Sequence, residues 1–179
     1  MTSKNTKTKV LYITYDGLTD PLGQSQVLPY LIGLRQKGFD FTIISFEKKI
    51  NYEKEKNTIE EITKENEFGW NALKYTKWPP IFSTVYDVIQ LKRSVKLEIE
   101  KGNVSLIHCR SYITALVGLW AKKKYGIPFV FDMRGFWADE RIDGGIWSLS
   151  NQVHKKVYHY FKEKEKEYLN EAAYSISLT

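Results

Sequence analysis

Residues 10–38, VLYITYDGLTDPLGQSQVLPYLIGLRQKG, hold the pattern that decides the fold. Val10 to Tyr15 is a short run of β-formers closed by Asp16-Gly17, which predicts a buried strand. From Gln24 the apolar residues Val27, Leu28, Leu31 and Leu34 recur at three- and four-residue spacing, with Pro29 in the early turns. Gly38 follows Lys37 as a C-cap, so this segment predicts a helix. Strand, polar loop, helix is the opening of a βαβ unit. The loop between them, Asp16 to Ser25, places free helix amides above the strand end, a setting suited to an anion.

The pattern continues along the chain. Strands are expected at Phe41 to Phe46, Trp70 to Trp78, Val104 to Cys109, Phe129 to Asp132 and Tyr174 to Leu178. The stretch Lys48 to Glu67 predicts a solvated helix anchored by Ile59 and Ile62. A helix from Ser83 to Lys101 has Val85, Val88, Ile89, Val95 and Ile99 as its expected core face. Further helices are expected from Ser111 to Tyr125 and from Leu149 to Glu171, the latter with Val153, Val157, Phe161 and Tyr168 on one side. Between Asp132 and Trp147 the chain reads as a long irregular loop, a kind of segment that often carries function. Strands alternating with helices imply right-handed crossovers and an α/β, Rossmann-like parallel sheet with helices on both faces. Ligands of such sheets bind beyond the strand carboxyl ends.

Composition narrows the class. With 179 residues, 42% hydrophobic and 15% aromatic, the chain has the material for one well-buried core, and no apolar run approaches the ~20 residues that span a bilayer. Met1 to Lys9 is basic and polar, and Val10 to Ile13 is too short for a signal-peptide core, so a cytoplasmic location is expected. The single cysteine, Cys109, excludes an internal disulfide and any multi-cysteine zinc site; it reads as a small buried hydrophobe. The charge of +6 is carried in blocks such as Lys122-Lys123-Lys124 and Lys155-Lys156 that suit solvated helix faces, without the stacking-aromatic pattern of a nucleic-acid module. Lys92, Arg93 and Lys96, opposite the apolar side of their helix, add the option of peripheral contact with anionic lipid.

Three loops gather the candidate chemistry. In the first, Asp16, Gly23, Gln24 and Ser25 combine close backbone approach with side-chain donors, yet neither G-x-G-x-x-G nor G-x-x-x-x-G-K-[ST] is present, which disfavours a bound dinucleotide or a P-loop. Ser25 as a helix cap and Gly23 as a simple turn is the plainer alternative. In the second loop Arg110 projects over a strand end and Ser111 is placed to cap the following helix, while His108 reads as a satisfied core histidine. In the third, Arg134, Gly135, Asp139, Glu140 and Arg141 sit among aromatic residues, a mixture suited to sugar hydroxyls and to carboxylate or phosphate groups. A salt-bridge network that merely orders the chain is its structural alternative.

At Asp20-Pro21-Leu22-Gly23-Gln24-Ser25-Gln26, Arg110-Ser111-Tyr112, Phe131 to Arg141 and Ser175-Ile176-Ser177-Leu178-Thr179, the chain resembles the N-terminal, acceptor-side domain of GT-B-fold glycosyltransferases of the family-4-like group. The resemblance implies a nucleotide sugar as donor and a saccharide or lipid-linked acceptor, in surface polysaccharide or glycoconjugate synthesis. It implies no cofactor and no metal, with helix amides and basic residues steadying the leaving diphosphate. It further implies a second, donor-binding domain in cis that this chain does not contain, so that the chain alone would be inactive. The Gly23 loop would approach the diphosphate, and Arg110 and Ser111 would line the cleft. Many relatives carry a histidine just after the fifth strand where this chain has Arg134, which shifts the expected catalytic group to Asp139 and Glu140. A different-class alternative is a non-catalytic nucleotide- or anion-binding domain.

Overall fold

The computed structural model describes residues 8–178; the basic start through Lys7 and Thr179 of the closing motif lie outside them. Six strands, β1 (Thr8–Thr14), β2 (Phe39–Glu47), β3 (Gly69–Lys74), β4 (Leu106–Arg110), β5 (Phe129–Asp132) and β6 (Tyr174–Ile176), form one all-parallel sheet in the order β3-β2-β1-β4-β5-β6. This is the Rossmann-like α/β fold expected, and its strand order reverses between β1 and β4.

Period-2 alternation divides the core into two. Leu11, Ile13, Ile44, Phe46, Ile107, Cys109, Phe129 and Phe131 point to the face covered by α3 (Phe82–Glu100), α4 (Tyr112–Tyr125) and α6 (Gln152–Glu171). Val10, Tyr12, Phe41 and Ile43 point to the opposite face, under α1 (Leu28–Arg35) and α2 (Lys49–Glu65). Each fully buried aliphatic or aromatic side chain contributes about 1.5–3 kcal/mol, so burial on both faces drives the assembly. The register then sorts polarity along the strands. Val10 pairs with Phe41 and Leu106 deep in the sheet, whereas Ser45, Thr14, Arg110 and Asp132 form one row at the carboxyl edge.

Several expected boundaries move. Helical structure begins at Pro21 and widens into a π-turn over Gly23–Val27 before α1. The cause is Pro29, which has no N–H for the Ser25 carbonyl and whose ring would collide with it; the Leu28 N–H donates instead to the Gly23 carbonyl, five residues back. The segment after β5 is not wholly irregular, since it contains α5 (Trp137–Asp143). The largest departure is α3. Val85 and Ile89, expected in the core, are exposed, and the helix turns Ser83, Asp87, Leu91, Ser94, Val95 and Glu98 inward. On α6, Phe161 and Tyr168 are buried as expected but Val153 is exposed. No helix among the described residues is long and apolar enough to cross a membrane.

Gly23 is fixed by packing. A Cβ there would lie 2.1 Å from the Gly17 carbonyl oxygen and 2.6 Å from the Leu18 Cα, both backbone atoms that cannot step aside. Gly23→Ala is therefore expected to lower unfolding free energy by about 1–3 kcal/mol, read as a fall in the urea midpoint with unchanged slope; an unchanged midpoint would show that the first loop yields freely.

Candidate functional site

The site starts from an acid at the end of β2. Glu47 is buried and accepts the backbone N–H groups of Leu18 (2.9 Å) and Thr19 (3.1 Å) together with the hydroxyls of Thr19 and Ser45. Asp20, also buried, accepts from Lys48 Nζ (2.6 Å), Asn51 Nδ2 (2.5 Å) and, at 3.4 Å, the Gly17 N–H. These two carboxylates fold the loop after β1 back onto β2 and fix its shape. Within it, Gln24 Nε2 donates to the Thr19 carbonyl (3.2 Å) and Ser25 Oγ to the Pro21 carbonyl (2.8 Å), so both side chains brace the turn and Ser25 caps nothing. Glu47 was not singled out in the sequence; an acid closing an otherwise apolar strand was the available signal.

With the first loop so held, a charged cluster forms across the switch between β1 and β4. Arg110, its side chain only 5% exposed, donates from Nε to Asp16 Oδ2 (3.3 Å) and from Nη2 to Gln26 Oε1 (3.1 Å), and its Nη1 lies 3.8 Å from Asp132 Oδ2. Arg134 Nη2 donates to the same Gln26 oxygen at 2.7 Å. Gly23 opens the turn that carries Gln26, so the first, second and third loops meet in one polar mouth. Arg110 is balanced by two carboxylates. Arg134 has only the neutral amide oxygen: among the described residues no carboxylate lies within ion-pair distance of it. Gln26, like Glu47, is not marked as a site residue by local sequence pattern, although it closes the stretch Asp20 to Gln26.

Two register rows deeper, His108 is buried with its ring 4.7 Å from Tyr12 and 5.8 Å from Tyr30. Its Nε2 has no hydrogen-bond partner and stands 3.6 Å from Asp132 Oδ2, too far to bond, so the expectation of a satisfied core histidine is corrected. Burial pushes the Tyr12 phenol up, against the opposing charge of Arg110. Ser111 is also corrected: its side chain makes no cap. It adopts φ 76° and ψ 174°, a region nearly confined to glycine that costs of order 1–3 kcal/mol, while its N–H donates to the Asp132 carbonyl (2.7 Å). The first amides of α4 are thus left without a side-chain acceptor at the edge of the mouth. Cys109 is a buried hydrophobe whose thiol burial pushes up.

The third loop divides its residues between two jobs. Asp139 accepts from Tyr158 (2.8 Å) and Lys162 (2.8 Å) and ties α5 to α6; the Lys162 ammonium holds its carboxyl below the usual range. Glu140 is exposed, and its carboxylate occupies the space over Gly135, within 2.2 Å of where a Cβ would stand. A shallow cavity of about 590 Å³ is lined by Arg134, Gly135, Phe136, Asp139, Glu140, Asp143, Lys162 and Leu178. Arg141, expected to bind substrate, instead lies on indoles, 4.6 Å from the Trp137 ring and 5.7 Å from Trp147. Burial there lowers its pKa and leaves its Nε unpaired, because stacking satisfies the planar faces of a guanidinium but not its in-plane donors. Among the described residues, no group of three or more His, Cys, Asp or Glu side chains is arranged to hold a metal ion.

A parallel sheet whose polar loops meet at its topological switch defines a Rossmann-like domain, with the crevice where such sheets take their ligands. The chain belongs to glycosyltransferase family 4: the family model matches residues 26–177, from the glutamine that joins the two arginines to the end of the sheet. Among solved structures, one described as a UDP-N-acetylglucosamine 2-epimerase from Listeria monocytogenes is similar, with a TM-score of 0.50 and 11% identity over 92% of this chain and 42% of that one. That similarity concerns the fold, one half of a GT-B architecture; the chain spans less than half of that relative. A search of curated proteins finds no match.

Two outcomes test this geometry. Removing the Glu47 carboxylate leaves buried donors unpaired, so Glu47→Ala is expected to cost about 3 kcal/mol and to abolish amide-exchange protection at Leu18 and Thr19 while β4 keeps its own; uniform protection loss would instead indicate general unfolding. For Asp139, whose folded pKa is depressed, the stabilisation is full above the unfolded value of about 3.9 and is lost as pH falls through the lower folded value. The stability gap between wild type and Asp139→Asn should accordingly be constant from neutral pH to about pH 5 and close below about pH 4; a gap that persists at about pH 2 contradicts the ion pair.

Proposed function

We propose that this chain is the acceptor-side half of a glycosyltransferase that moves a sugar from a nucleotide-sugar donor to a saccharide or lipid-linked acceptor, in surface polysaccharide or glycoconjugate synthesis. The observation that carries the reading is Arg134. It shares Gln26 with Arg110, forms no ion pair among the described residues, and stands at the mouth where a second Rossmann-like domain bearing the donor would close. Departure of a nucleoside diphosphate builds negative charge on its bridging oxygen. A guanidinium already held by a hydrogen bond stabilises that charge without reorganising, and the uncapped amides of α4 add to the field.

The division of labour follows from exposure and pairing. Glu140, open to the cavity it shares with Arg134, is the carboxylate we assign to draw the proton from an acceptor hydroxyl; Asp139 positions α5, and with it Glu140, through Lys162. Arg110 is too enclosed to serve an incoming group directly and acts by holding Asp16 and Gln26 in place. In this reading the chain by itself transfers nothing, needs no metal, and works in the cytoplasm.

The test is kinetic, in the full-length enzyme with its donor domain. Arg134→Ala is expected to lower kcat/KM by about 10- to 150-fold, the range of one charge-assisted hydrogen bond, without a shift in thermal midpoint. Arg134→Lys should restore part of it, and Glu140→Gln should lower kcat more than it raises KM. Wild-type turnover in Arg134→Ala, or binding of free nucleoside diphosphate to the isolated chain with indifference to saccharides, would favour a non-catalytic anion-binding domain.

A further inference from the structure

The inverted helix α3 leaves an apolar stripe outside the core. Phe82, Val85, Tyr86 and Ile89 fall at i, i+3, i+4 and i+7, all exposed, and the approach to the helix adds Trp78 (77% exposed) and Ile81. Trp78 and Tyr86 line one groove with Lys74, Lys77 and Gln90, so the stripe and the loop after β3 form a continuous surface. What the helix turns inward is partly polar: Asp87 is fully buried, where it accepts the Tyr15 hydroxyl (2.7 Å) and the Thr76 N–H (3.2 Å). That buried anchor fixes the rotation of α3 and forces the apolar side outward.

The flank of the stripe is basic. Between residues 69 and 97 the chain carries Lys74, Lys77, Lys92, Arg93 and Lys96, and its only acid there is the buried Asp87. Lys96 reaches Glu100 at 3.5 Å and Lys92 rests 5.6 Å from the Trp120 ring, but Lys74, Lys77 and Arg93 form no ion pair among the described residues. Of the lysine block at the end of α4, Lys122 pairs with Glu171 (2.8 Å) and Lys123 with Glu167 (2.5 Å), while Lys124 lies 5.7 Å from the Trp120 ring that Lys92 also meets. A second copy seated on the stripe would bring like charges together, and the stripe lies on the outer side of a layer helix rather than over the mouth.

We propose that the outer face of α3 docks on an anionic lipid bilayer, with Trp78 and Phe82 entering the headgroup boundary and Lys77 and Arg93 meeting the lipid phosphates. Because α3 starts at the carboxyl edge of the sheet, and Asp87 ties it to Tyr15 next to Asp16, docking sets the mouth beside the membrane. The acceptor class implied is a glycan acceptor carried on lipid. That last step rests on the glycosyltransferase reading; the docking does not.

Vesicle sedimentation of the chain tests the docking, with phosphatidylcholine vesicles compared with vesicles that also contain phosphatidylglycerol. Retention is expected on the anionic vesicles, falling as salt rises. Lys77→Glu with Arg93→Glu should weaken it by at least about fivefold per residue, and Phe82→Ser with Ile89→Ser should abolish it, each at wild-type helicity by circular dichroism. Should a pair fail to fold, quenching of wild-type tryptophan fluorescence by brominated lipid, reduced in Trp78→Phe, reads the same contact. Arg134→Ala should leave retention unchanged, so failure of the transfer mechanism and failure of docking are told apart. No retention on anionic vesicles at low salt, retention indifferent to both pairs, or dimerisation through the stripe in sedimentation velocity would overturn the proposal.

Discussion

A buried arginine cannot stand alone in a protein interior, and Arg110 is the group around which this molecule's functional edge is arranged. It ends β4 at the point where the strand order reverses, so the helices that follow β1 and β4 leave on opposite faces and open a crevice between the two strand ends. Removal of its charge from water is costly and has to be offset by nearby acids. Asp16 comes from the loop after β1, Asp132 from the end of β5, and Gln26 from the π-turn, so compensating one charge draws three separate pieces of chain to one place. Glu47 makes this possible from a distance, since it orders the loop that carries Asp16.

How the chain divides its charges then matters more than how many it has. Arg110 is fully balanced and enclosed; Arg134 shares its amide acceptor and has no acid to itself among the described residues. The pair thus separates a structural cation from an available one. Ser111 strengthens the impression of a prepared edge, because its strained backbone keeps its side chain off the α4 amides that a cap would otherwise satisfy. A guanidinium without an ion-pair partner is the kind of preorganised donor that steadies developing negative charge.

Much of this was legible in the sequence. Local period and turn chemistry are short-range, and they reported the strands, the helices, the parallel sheet and the three loops at its carboxyl edge. Arg110 and Arg134 could be placed there because each follows a β-run. What escaped depends on contacts distant in sequence. Glu47 serves a loop 28 residues earlier, and Gln26 meets Arg110 and Arg134 across 84 and 108 residues, none of which a local pattern encodes. The π-turn was hidden because Pro29 sits in an otherwise regular helical pattern. On α3 the buried Asp87 overrode apolar periodicity, so Val85 and Ile89 were assigned to the wrong side. Arg141 was misplaced because an arginine among tryptophans reads equally well as ligand-binding or as stacked.

The central claim is that Arg110, Gln26 and Arg134 form a single anion-receiving mouth at the switch between β1 and β4. Guanidinium- and amide-detected ¹⁵N NMR of the chain, titrated with pyrophosphate as a probe, addresses it most directly. The expected result is that the Arg134 side-chain resonance and the Gln26 side-chain amide shift together along one saturable curve, with a smaller response at Arg110 and none at the indole-stacked Arg141. Shifts confined to Arg141 or to scattered surface lysines, with Gln26 and Arg134 unmoved at saturation, would contradict it.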